Sequence, residues 1–508
     1  MATNSNSAEE RSRPAVGALR HRVFGGLLWT LSGTGFHGAA QFITVVVISR
    51  LLTPAEVGVA SAVTIIVWFA QTFSQLGVGP GIVQRPILTD RYIATGLSLA
   101  LLFGIGTGAV IFLGAGPFAT VLKLPASADL IRIIALVFPI VALSTVSESL
   151  LQRNMRFKAL MFIDAIGYGL GYGVTAVLLA AAGAGPWYIV GAQLAQAVLR
   201  TVLLAFAARH RWSFAFHRTE ARRLLSYGTA ISLGKIGHFM GTQGDNMIVA
   251  RFLGAADLGF YGRAFQFVTL PANLLGGALD RVLFPAIGSI QDNPVRMARA
   301  YMRSVAVAAM VMLPMSSVLG VAAPEIIVLT LGPRWEPVIV PFQILVCSLV
   351  FRTSARLSDS LARATGVVYQ RAWRQWIYAA AVVAGAYVGR SEGLWGVSAG
   401  VVLAAILNFS MMLKLSVRSL ELSWTTVSQV YLRHFAIAAG MTTAALVAAD
   451  LARQSGLPDV LTIVAITIAA GFAWVVLLKL FPRLFGDDLS WAIDLVRQRR
   501  SSRSRSDR

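Results

Sequence analysis

The chain has 508 residues, of which 56% are hydrophobic and 13% are charged. Soluble domains carry roughly 25% charged residues, so this composition excludes a soluble globular protein and indicates a polytopic membrane protein. Lys and Arg outnumber Asp and Glu by 44 to 23, for a net charge of +21. The arginines fall in short segments between apolar runs, which argues against a nucleic-acid-binding surface. The single Cys347 excludes a disulfide framework.

Apolar segments long enough to cross a bilayer recur along the whole chain. A spanning helix needs about 20 mostly apolar residues. We identify fourteen such segments, centred near residues 37, 67, 102, 140, 170, 197, 238, 270, 310, 348, 380, 404, 440 and 470. Residues 1–15 lack the apolar region of a signal peptide, so the first segment is predicted to be an uncleaved helix. The fold is therefore predicted to be all-α, with about fourteen transmembrane helices and no extramembrane domain.

Basic residues alternate between the loops. Even-numbered loops and both tails hold several each, whereas odd-numbered loops hold only one or two. The tenth loop is assigned five arginines: Arg352, Arg356, Arg363, Arg371 and Arg374. Because basic loops stay in the cytoplasm, both termini are predicted to be cytoplasmic.

One short stretch occurs twice. Arg50 to Gly58 and Arg251 to Gly259 share an Arg, two apolar residues, two variable residues, Ala, an acid, an aliphatic residue and Gly, 201 residues apart. A repeat of this length is typical of transporter halves, so we predict two pseudo-symmetric six-helix bundles and an extra helix pair. The predicted boundaries are a basic cytoplasmic tail at 1–22, an N-terminal bundle at 23–208, a basic connector at 209–223, a C-terminal bundle at 224–418, the extra pair at 424–486 and a basic tail at 487–508.

The repeated stretch predicts a tight turn followed by a helix start. Pro54 and Glu56, and Asp257 in the second copy, are expected in the first helical turn. A carboxylate is stabilised there by the positive end of the helix dipole. We therefore interpret both acids as caps rather than as substrate-binding groups.

Polar residues inside the spans are the candidates for function. The first and seventh helices each carry polar residues along one stripe. In the first helix, at spacings of three and four residues, they are Thr34, His37, Gln41 and Thr44. In the seventh, at the equivalent positions of the repeat, they are Lys235, His238, Thr242 and Asp245. The second helix adds Gln71 to a polar stripe, and the eighth carries Arg263. Ionisable groups are costly in hydrocarbon, so both stripes are predicted to face a cavity shared by the two halves.

Most of these residues also have a structural interpretation. His37 and His238 are equally well explained as hydrogen-bonding groups that join helices. A mid-span Lys235 needs an anion or water, and Asp245 is either its structural partner or an ion-coupling carboxylate. Four charged residues near span ends are interpreted as structural, because their side chains can reach the interface: Arg132, Glu148, Asp164 and Asp280.

Signatures of enzymes are absent from the sequence. It contains no Gly-x-x-x-x-Gly-Lys-Ser/Thr phosphate loop and no His-Glu-x-x-His. The stretch from Gly167 to Gly171, Gly-Tyr-Gly-Leu-Gly, lies within a predicted span and follows no strand. We interpret it as a small-residue surface for helix packing rather than a dinucleotide site. No enzymatic activity, cofactor or metal is expected.

Several short stretches carry a resemblance, which is close over about residues 25–300 and weaker to about residue 485. They are Ser49 to Gly58, Leu76 to Gly79, Gln84-Arg85, Tyr227-Gly228, Asp245 to Gly254, Tyr261, Leu283 to Ala286 and Gln291-Asp292. With these residues the chain resembles the polysaccharide transporters, or oligosaccharide flippases, of the multidrug/oligosaccharidyl-lipid/polysaccharide exporter superfamily.

The resemblance implies two helical bundles that flip undecaprenyl-diphosphate-linked oligosaccharide units across the bacterial cytoplasmic membrane by alternating access. The product would be exopolysaccharide, capsule or O-antigen, and the expected partners are the bilayer, a polysaccharide polymerase and export machinery. In this hypothesis the substrate is bound by Lys235, Arg263, His37, His238, Gln41 and Gln71, and Asp245 is the ion-coupling candidate. Lys235 is expected to face the cavity at the depth of the diphosphate.

Three alternatives remain. A peptidoglycan lipid-precursor flippase and a cation-coupled drug exporter belong to the same superfamily and share the predicted architecture. A membrane-embedded polymerase or ligase is disfavoured, because such enzymes resemble proteins with a large outer catalytic loop. The outer loops predicted here have about fifteen residues or fewer.

Overall fold

A computed structural model describes residues 35–74, 77–85, 87–208, 212–288, 290 and 293–480. Every regular element in this part of the chain is helical, so the prediction of an all-α fold is confirmed. The chain divides into two compact units, Met1–Phe239 and Met240–Arg508. The predicted tails at 1–22 and 487–508 lie outside the described residues, and the other predicted boundaries stay predictions.

The first unit is built from helices joined by short turns. They are α1 (Gly35–Leu51), α2 (Pro54–Ser74), α3 (Val78–Gln84), α4 (Asp90–Val121), α5 (Ala128–Ile134), α6 (Val137–Arg153), α7 (Phe157–Ile166), a π-helix (Gly167–Val174), α8 (Thr175–Ala181), α9 (Tyr188–Ala208) and the start of α10 (Arg218–Phe252). Apolar residues of four of them meet in one core cluster, which includes Ile82 of α3, Leu97 of α4, Val146 of α6 and Leu224 of α10.

The start of α2 confirms the predicted cap. The carboxylate of Glu56 accepts hydrogen bonds from the backbone N–H and the hydroxyl of Thr53, both at 2.8 Å. Pro54 occupies the first helical position, where no N–H is needed. In the second copy, Gly254 takes a positive φ of 98° and Asp257 lies in the first turn of the next helix.

The second unit continues from α10 with nine α-helices in its described residues. They are α11 (Ala255–Gly288), α12 (Pro294–Val321), α13 (Ala323–Leu331), α14 (Ile339–Val346), α15 (Leu349–Ala364), α16 (Val368–Gly389), α17 (Gly393–Ser419), α18 (Trp424–Gln454) and α19 (Asp459–Leu480). The final pair, α18 and α19, packs its apolar residues against Val321 and Ala322 at the junction of α12 and α13.

Helices α16 and α17 approach each other through glycines. A Cβ atom added to Gly385 would lie 2.7 Å from the carbonyl oxygen of Gly400, and one added to Gly389 would collide with the backbone of Gly396. Each helix thus presents two glycines four residues apart, about one helical turn, so that backbone meets backbone. Small residues are the usual means of close helix contact in membranes.

Two helices are interrupted inside predicted spans. Helix α5 ends one residue before Ala135, whose carbonyl cannot receive a helical bond from Pro139 because proline has no N–H. The second interruption, at Cys347 and Ser348, separates two helical segments that are bent by 47°. Interrupted helices of this kind are common in transporters.

The helices account for the predicted spans. Of the fourteen predicted centres, that near 348 lies at the second interruption, and the others lie in helices. Nine helical stretches of the described residues are long and apolar enough to cross a membrane, or up to ten if the bent pair is one span. That number counts α16 and α17 together and leaves out the more polar α10 and α11. The total of fourteen spans and the superposition of the two bundles stay predictions.

The assignment of five arginines to the tenth loop was wrong. Arg352, Arg356 and Arg363 lie within α15, and Arg371 and Arg374 lie within α16. The apolar run that defined this span includes the interruption at Cys347. The predicted span was therefore centred on the break rather than on either helix. The polar second half of α15 was assigned to the following loop.

Candidate functional site

The seven candidate residues lie on four helices. They are His37 and Gln41 of α1, Gln71 of α2, Lys235, His238 and Asp245 of α10, and Arg263 of α11. Gln71 and His238 are exposed, His37 and Gln41 are partly buried, and Asp245 and Arg263 are buried. The side chain of Lys235 lies outside the described residues, so its predicted role stays a prediction.

In the first unit, His37 packs as an aromatic group. Its ring meets that of Tyr168 edge-on, with 4.4 Å between the ring centroids. Tyr168 in turn stacks on Tyr172 at 5.1 Å, and both tyrosines belong to the π-helix. This contact favours the helix-joining interpretation of His37.

The π-helix packs against α9 through its glycines. A Cβ atom on Gly171 would lie 2.7 Å from the Cα of Gln196, and one on Gly167 would lie 3.4 Å from the Cβ of Arg200. The interpretation of this stretch as a helix-packing surface is therefore confirmed.

Arg200 joins two acidic residues of the first unit. Its Nε donates to Asp164 Oδ1 at 2.9 Å, and its Nη1 donates to Glu148 Oε2 at 3.1 Å. A second donor to Glu148 is the amide of Gln152, at 3.2 Å. Glu148 and Asp164 are thus structural, as predicted, but their partner is a guanidinium rather than the membrane interface. No local sequence pattern indicates this role of Arg200, because these contacts join residues 36 and 52 positions apart.

In the second unit, Arg263 is a buried cation without an acid. Its side chain is 8% exposed, its Nη1 donates to Gln266 Oε1 at 2.8 Å, and its guanidinium lies 5.8 Å from the ring centroid of Trp335. Among the described residues, its Nε has no hydrogen-bond partner and no carboxylate pairs with it. A buried charge of this kind is costly unless a counter-ion completes its environment.

Asp245 is fully enclosed and hydrogen-bonded. Its Oδ2 accepts from the hydroxyl of Tyr261 at 2.7 Å, and its Oδ1 accepts from the backbone N–H of Asn246 at 2.9 Å. The side-chain amide of Asn246 donates to Gln243 at 3.1 Å. Arg352 of α15 is close enough to act electrostatically on this carboxylate. The cluster therefore joins α10, α11 and α15 around one buried negative group.

Two arginines of α15 contact α11, the helix that carries Arg263. Arg352 lies 4.9 Å from the ring centroid of Phe265, and its Nε donates to Ser348 at 3.0 Å. Arg356 donates from Nη2 to Asn273 at 2.8 Å. Phe265 and Asn273 both belong to α11, so each of these arginines contacts that helix. The spacing of four between these arginines was the signal of a shared helix face.

This arrangement suits binding rather than bond-breaking chemistry. Guanidinium groups bind phosphate through parallel hydrogen bonds, and amides such as Gln266 and Asn273 can bind hydroxyl groups. Throughout the described ranges, no group of three or more His, Cys, Asp or Glu residues could hold a metal ion.

The helices and their apolar length define a multi-pass α-helical membrane protein. The chain belongs to the polysaccharide biosynthesis protein family, whose model matches residues 47–340. The resemblance drawn from the sequence motifs is thereby confirmed.

Two curated relatives have named roles. The chain is 30% identical over 311 residues to the succinoglycan biosynthesis transport protein ExoT of Rhizobium meliloti (strain 1021), covering 60% of this chain and 61% of that protein. It is 24% identical over 397 residues to the lipopolysaccharide biosynthesis protein WzxC of Escherichia coli (strain K12), covering 77% and 80% of the two chains.

Two solved structures share the fold. The lipid II flippase MurJ, in an inward closed conformation, matches with a TM-score of 0.72 at 11% identity over 89% of this chain and 99% of its own. An inward-facing multidrug resistance MATE family transporter matches with a TM-score of 0.62 at 15% identity, over 76% and 95% of the two chains.

Proposed function

We propose that this protein flips undecaprenyl-diphosphate-linked oligosaccharide units across the bacterial cytoplasmic membrane by alternating access, for exopolysaccharide, capsule or O-antigen synthesis. The family and the names of the relatives in succinoglycan transport and lipopolysaccharide biosynthesis support this function. In this proposal the protein is a transporter and not an enzyme, and its cargo crosses chemically unchanged. A polysaccharide polymerase and export machinery would receive the cargo on the outer side.

The observation that carries the proposal is the unpaired guanidinium of Arg263. The diphosphate of the carrier lipid supplies the negative charge that the described surroundings of Arg263 lack. One phosphate oxygen can accept a hydrogen bond from Nε, and a second oxygen can accept one from a terminal N–H of the same guanidinium. These two parallel bonds are the geometry that arginine favours. Arg352 and Arg356 add positive charge on the neighbouring helix α15 of the same unit.

The remaining residues have separate roles in the proposal. Lys235, His238, Gln41 and Gln71 would contact the diphosphate or the sugars. His37 is given a packing role, because its ring lies against Tyr168. Asp245 would couple transport to an ion, since a buried carboxylate can exchange a proton or a cation between two conformations. The predicted cytoplasmic termini place the loading side at the basic loops.

The proposal is tested in a strain that lacks the gene. Arg263→Ala should abolish surface polysaccharide while the protein reaches the membrane at the wild-type level. Arg263→Lys should retain part of the activity, because it keeps the charge and loses the paired geometry. Arg132→Ala is the matched control, since Arg132 forms an exposed pair with Asp129 at 2.6 Å and should leave export unchanged.

Two outcomes would contradict the proposal. Wild-type polysaccharide from Arg263→Ala at equal protein level would remove Arg263 from the binding site. The proposal also requires that lipid-linked oligosaccharide accumulates in the deletion strain while peptidoglycan synthesis continues. Loss of peptidoglycan synthesis instead would assign the protein to the precursor-flippase alternative, whose fold it shares.

A further inference from the structure

Arg374 of α16 is a second buried cation, in a different part of the second unit, and it pairs with no acid among the residues that the structure describes. Its side chain is only 7% exposed. Its Nη1 donates to the carbonyl oxygen of Gln370 on the same helix, and its guanidinium lies 4.4 Å from the ring centroid of Trp373. Both contacts are with neutral groups, so neither offsets the charge.

The charged surroundings of Arg374 are positive. Its charged neighbour is Arg418, in the last turn of α17. Two acids lie near this end of the unit: Asp359 already pairs with Arg363 at 3.1 Å and with Arg371, and Glu421 is exposed three residues after Arg418. Within the described part of the chain, the guanidinium groups of Arg374 and Arg418 therefore repel each other and no carboxylate pairs with Arg374. Such an arrangement is unfavourable in a nonpolar medium and becomes favourable when an anion binds.

The same end of α16 carries exposed aromatic side chains. Tyr369 is 92% exposed, Trp373 is 49% exposed and Trp376 is 46% exposed. Their spacing of four and three residues places them on one face of the helix. Exposed Trp and Tyr residues on a membrane helix mark the depth of the lipid headgroups. Arg374 lies one residue after Trp373, so it is at that depth.

We propose that Arg374 and Arg418 bind the phosphate of an anionic phospholipid, whose acyl chains lie along the aromatic face formed by Tyr369, Trp373 and Trp376. Guanidinium groups suit this ligand because they are weakly hydrated and bind phosphate oxygens in pairs. Basic pockets between membrane helices are known to bind such headgroups. This lipid is a resident of the protein and not its cargo, so the site goes beyond the proposed transport function.

The surroundings favour a phospholipid over the carrier-linked oligosaccharide as the source of the phosphate. The groups that adjoin Arg374 on the outer face of α16 are aromatic, and they suit acyl chains. A hydrated oligosaccharide needs hydroxyl-binding groups, as Gln266 and Asn273 provide beside Arg263 and Arg356. The two phosphate-binding regions thus differ in what surrounds the cations.

Native mass spectrometry of the purified full-length protein tests the site. The probes are phosphatidylglycerol, the zwitterionic phosphatidylcholine and undecaprenyl diphosphate, each added to the delipidated protein. The wild type should retain phosphatidylglycerol in preference to phosphatidylcholine. Arg374→Gln should weaken this retention about fivefold, the effect of one basic residue near a membrane surface. Arg299→Gln, which removes an exposed arginine from the start of α12, is the matched control and should retain the lipid as the wild type does.

Thermal unfolding separates lipid binding from folding. In phosphatidylcholine, Arg374→Gln should unfold at the temperature of the wild type or above it, because no ion pair is lost. Phosphatidylglycerol should raise the unfolding temperature of the wild type and of Arg374→Lys, and have a smaller effect on Arg374→Gln. Equal retention of phosphatidylglycerol by the wild type and Arg374→Gln would overturn the proposal. Retention of undecaprenyl diphosphate without phosphatidylglycerol would overturn it too, by assigning the phosphate to the cargo.

Discussion

Arg453 of α18 holds the buried carboxylate of Glu325 with two hydrogen bonds. Its Nε lies 2.7 Å from Oε1 and its Nη2 lies 3.2 Å from Oε2. The same Nη2 donates to the carbonyl oxygen of Val321 at 3.1 Å. Glu325 is 6% exposed and lies in the first turn of α13. This ion pair therefore fastens the final helix pair to the remainder of the second unit.

The two halves of this ion pair should respond differently to substitution. Arg453→Gln leaves a buried carboxylate without its cation, and it should lower the free energy of unfolding by about 3 kcal/mol. Glu325→Gln removes the charge and keeps an oxygen that Arg453 can use, so a loss of about 1 kcal/mol is expected. The measurement is denaturant unfolding of the purified protein in detergent. Equal losses for the two variants would show that the charge of Glu325 is not what Arg453 stabilises.

The glycine contact between α16 and α17 leads to a second prediction. Gly389→Ala places a methyl group against the backbone of Gly396 and should destabilise the protein by about 1–3 kcal/mol, because two helices must separate. Gly471→Ala in α19 is the control, since no atom lies within 4 Å of a Cβ there. Its stability should equal that of the wild type or exceed it slightly. Thermal unfolding compares the two, and a smaller loss for Gly389→Ala than for the control would contradict the close contact.

The cluster around Asp245 distinguishes ion coupling from a structural role. Asp245→Asn keeps an oxygen to accept the hydrogen bond from Tyr261 but removes the charge. If Asp245 couples an ion, this variant should reach the membrane normally and lose surface polysaccharide. Tyr261→Phe keeps the charge and should lower the free energy of unfolding by about 1–3 kcal/mol. A fall in the membrane level of Asp245→Asn that matches its loss of polysaccharide would indicate structure instead.

The predicted orientation is tested by reporter fusions on either side of α9. Ala182 follows α8 and Thr219 lies at the start of α10, so a single long helix, α9, separates them within this stretch. A fusion after Thr219 should report a cytoplasmic position, and one after Ala182 should report an external position. Reversal at either site would be incompatible with cytoplasmic termini.

Most helix positions were predictable because long apolar runs mark them, although α10 and α11 are more polar and the span near residue 348 is interrupted. The repeated cap at Glu56 was predictable for a similar reason, since proline and an acid at a helix start act within one turn. Asp245 and Arg263 could be selected because ionisable residues are rare in spans. Each of these inferences depends on residues that are close in sequence.

Other features depend on contacts between distant segments. The partners of Arg200 lie 36 and 52 residues away, and Arg453 lies 128 residues from Glu325. No local pattern indicates which distant acid an arginine will meet. Arg352 and Arg356 were misplaced for another reason, because a bend at Ser348 moved the apolar window away from α15. Burial also could not be read from sequence, and it alone separates Arg374 from the exposed arginines nearby.

The π-helix at Gly167–Val174 affects how this chain is compared with its relatives. A π-type bond encloses one more residue than an α-type bond, so this segment holds an insertion within a helix rather than in a loop. A relative with one residue fewer here would have an uninterrupted α-helix whose later residues face the same neighbours, because the wider turn absorbs the extra residue. Pairing the two helices without a gap would match residues one position apart, which is about 100° around the axis. An alignment that places gaps only in loops would therefore match the wrong residues of such a relative to the stretch from Tyr168, which contacts His37, to the end of α8.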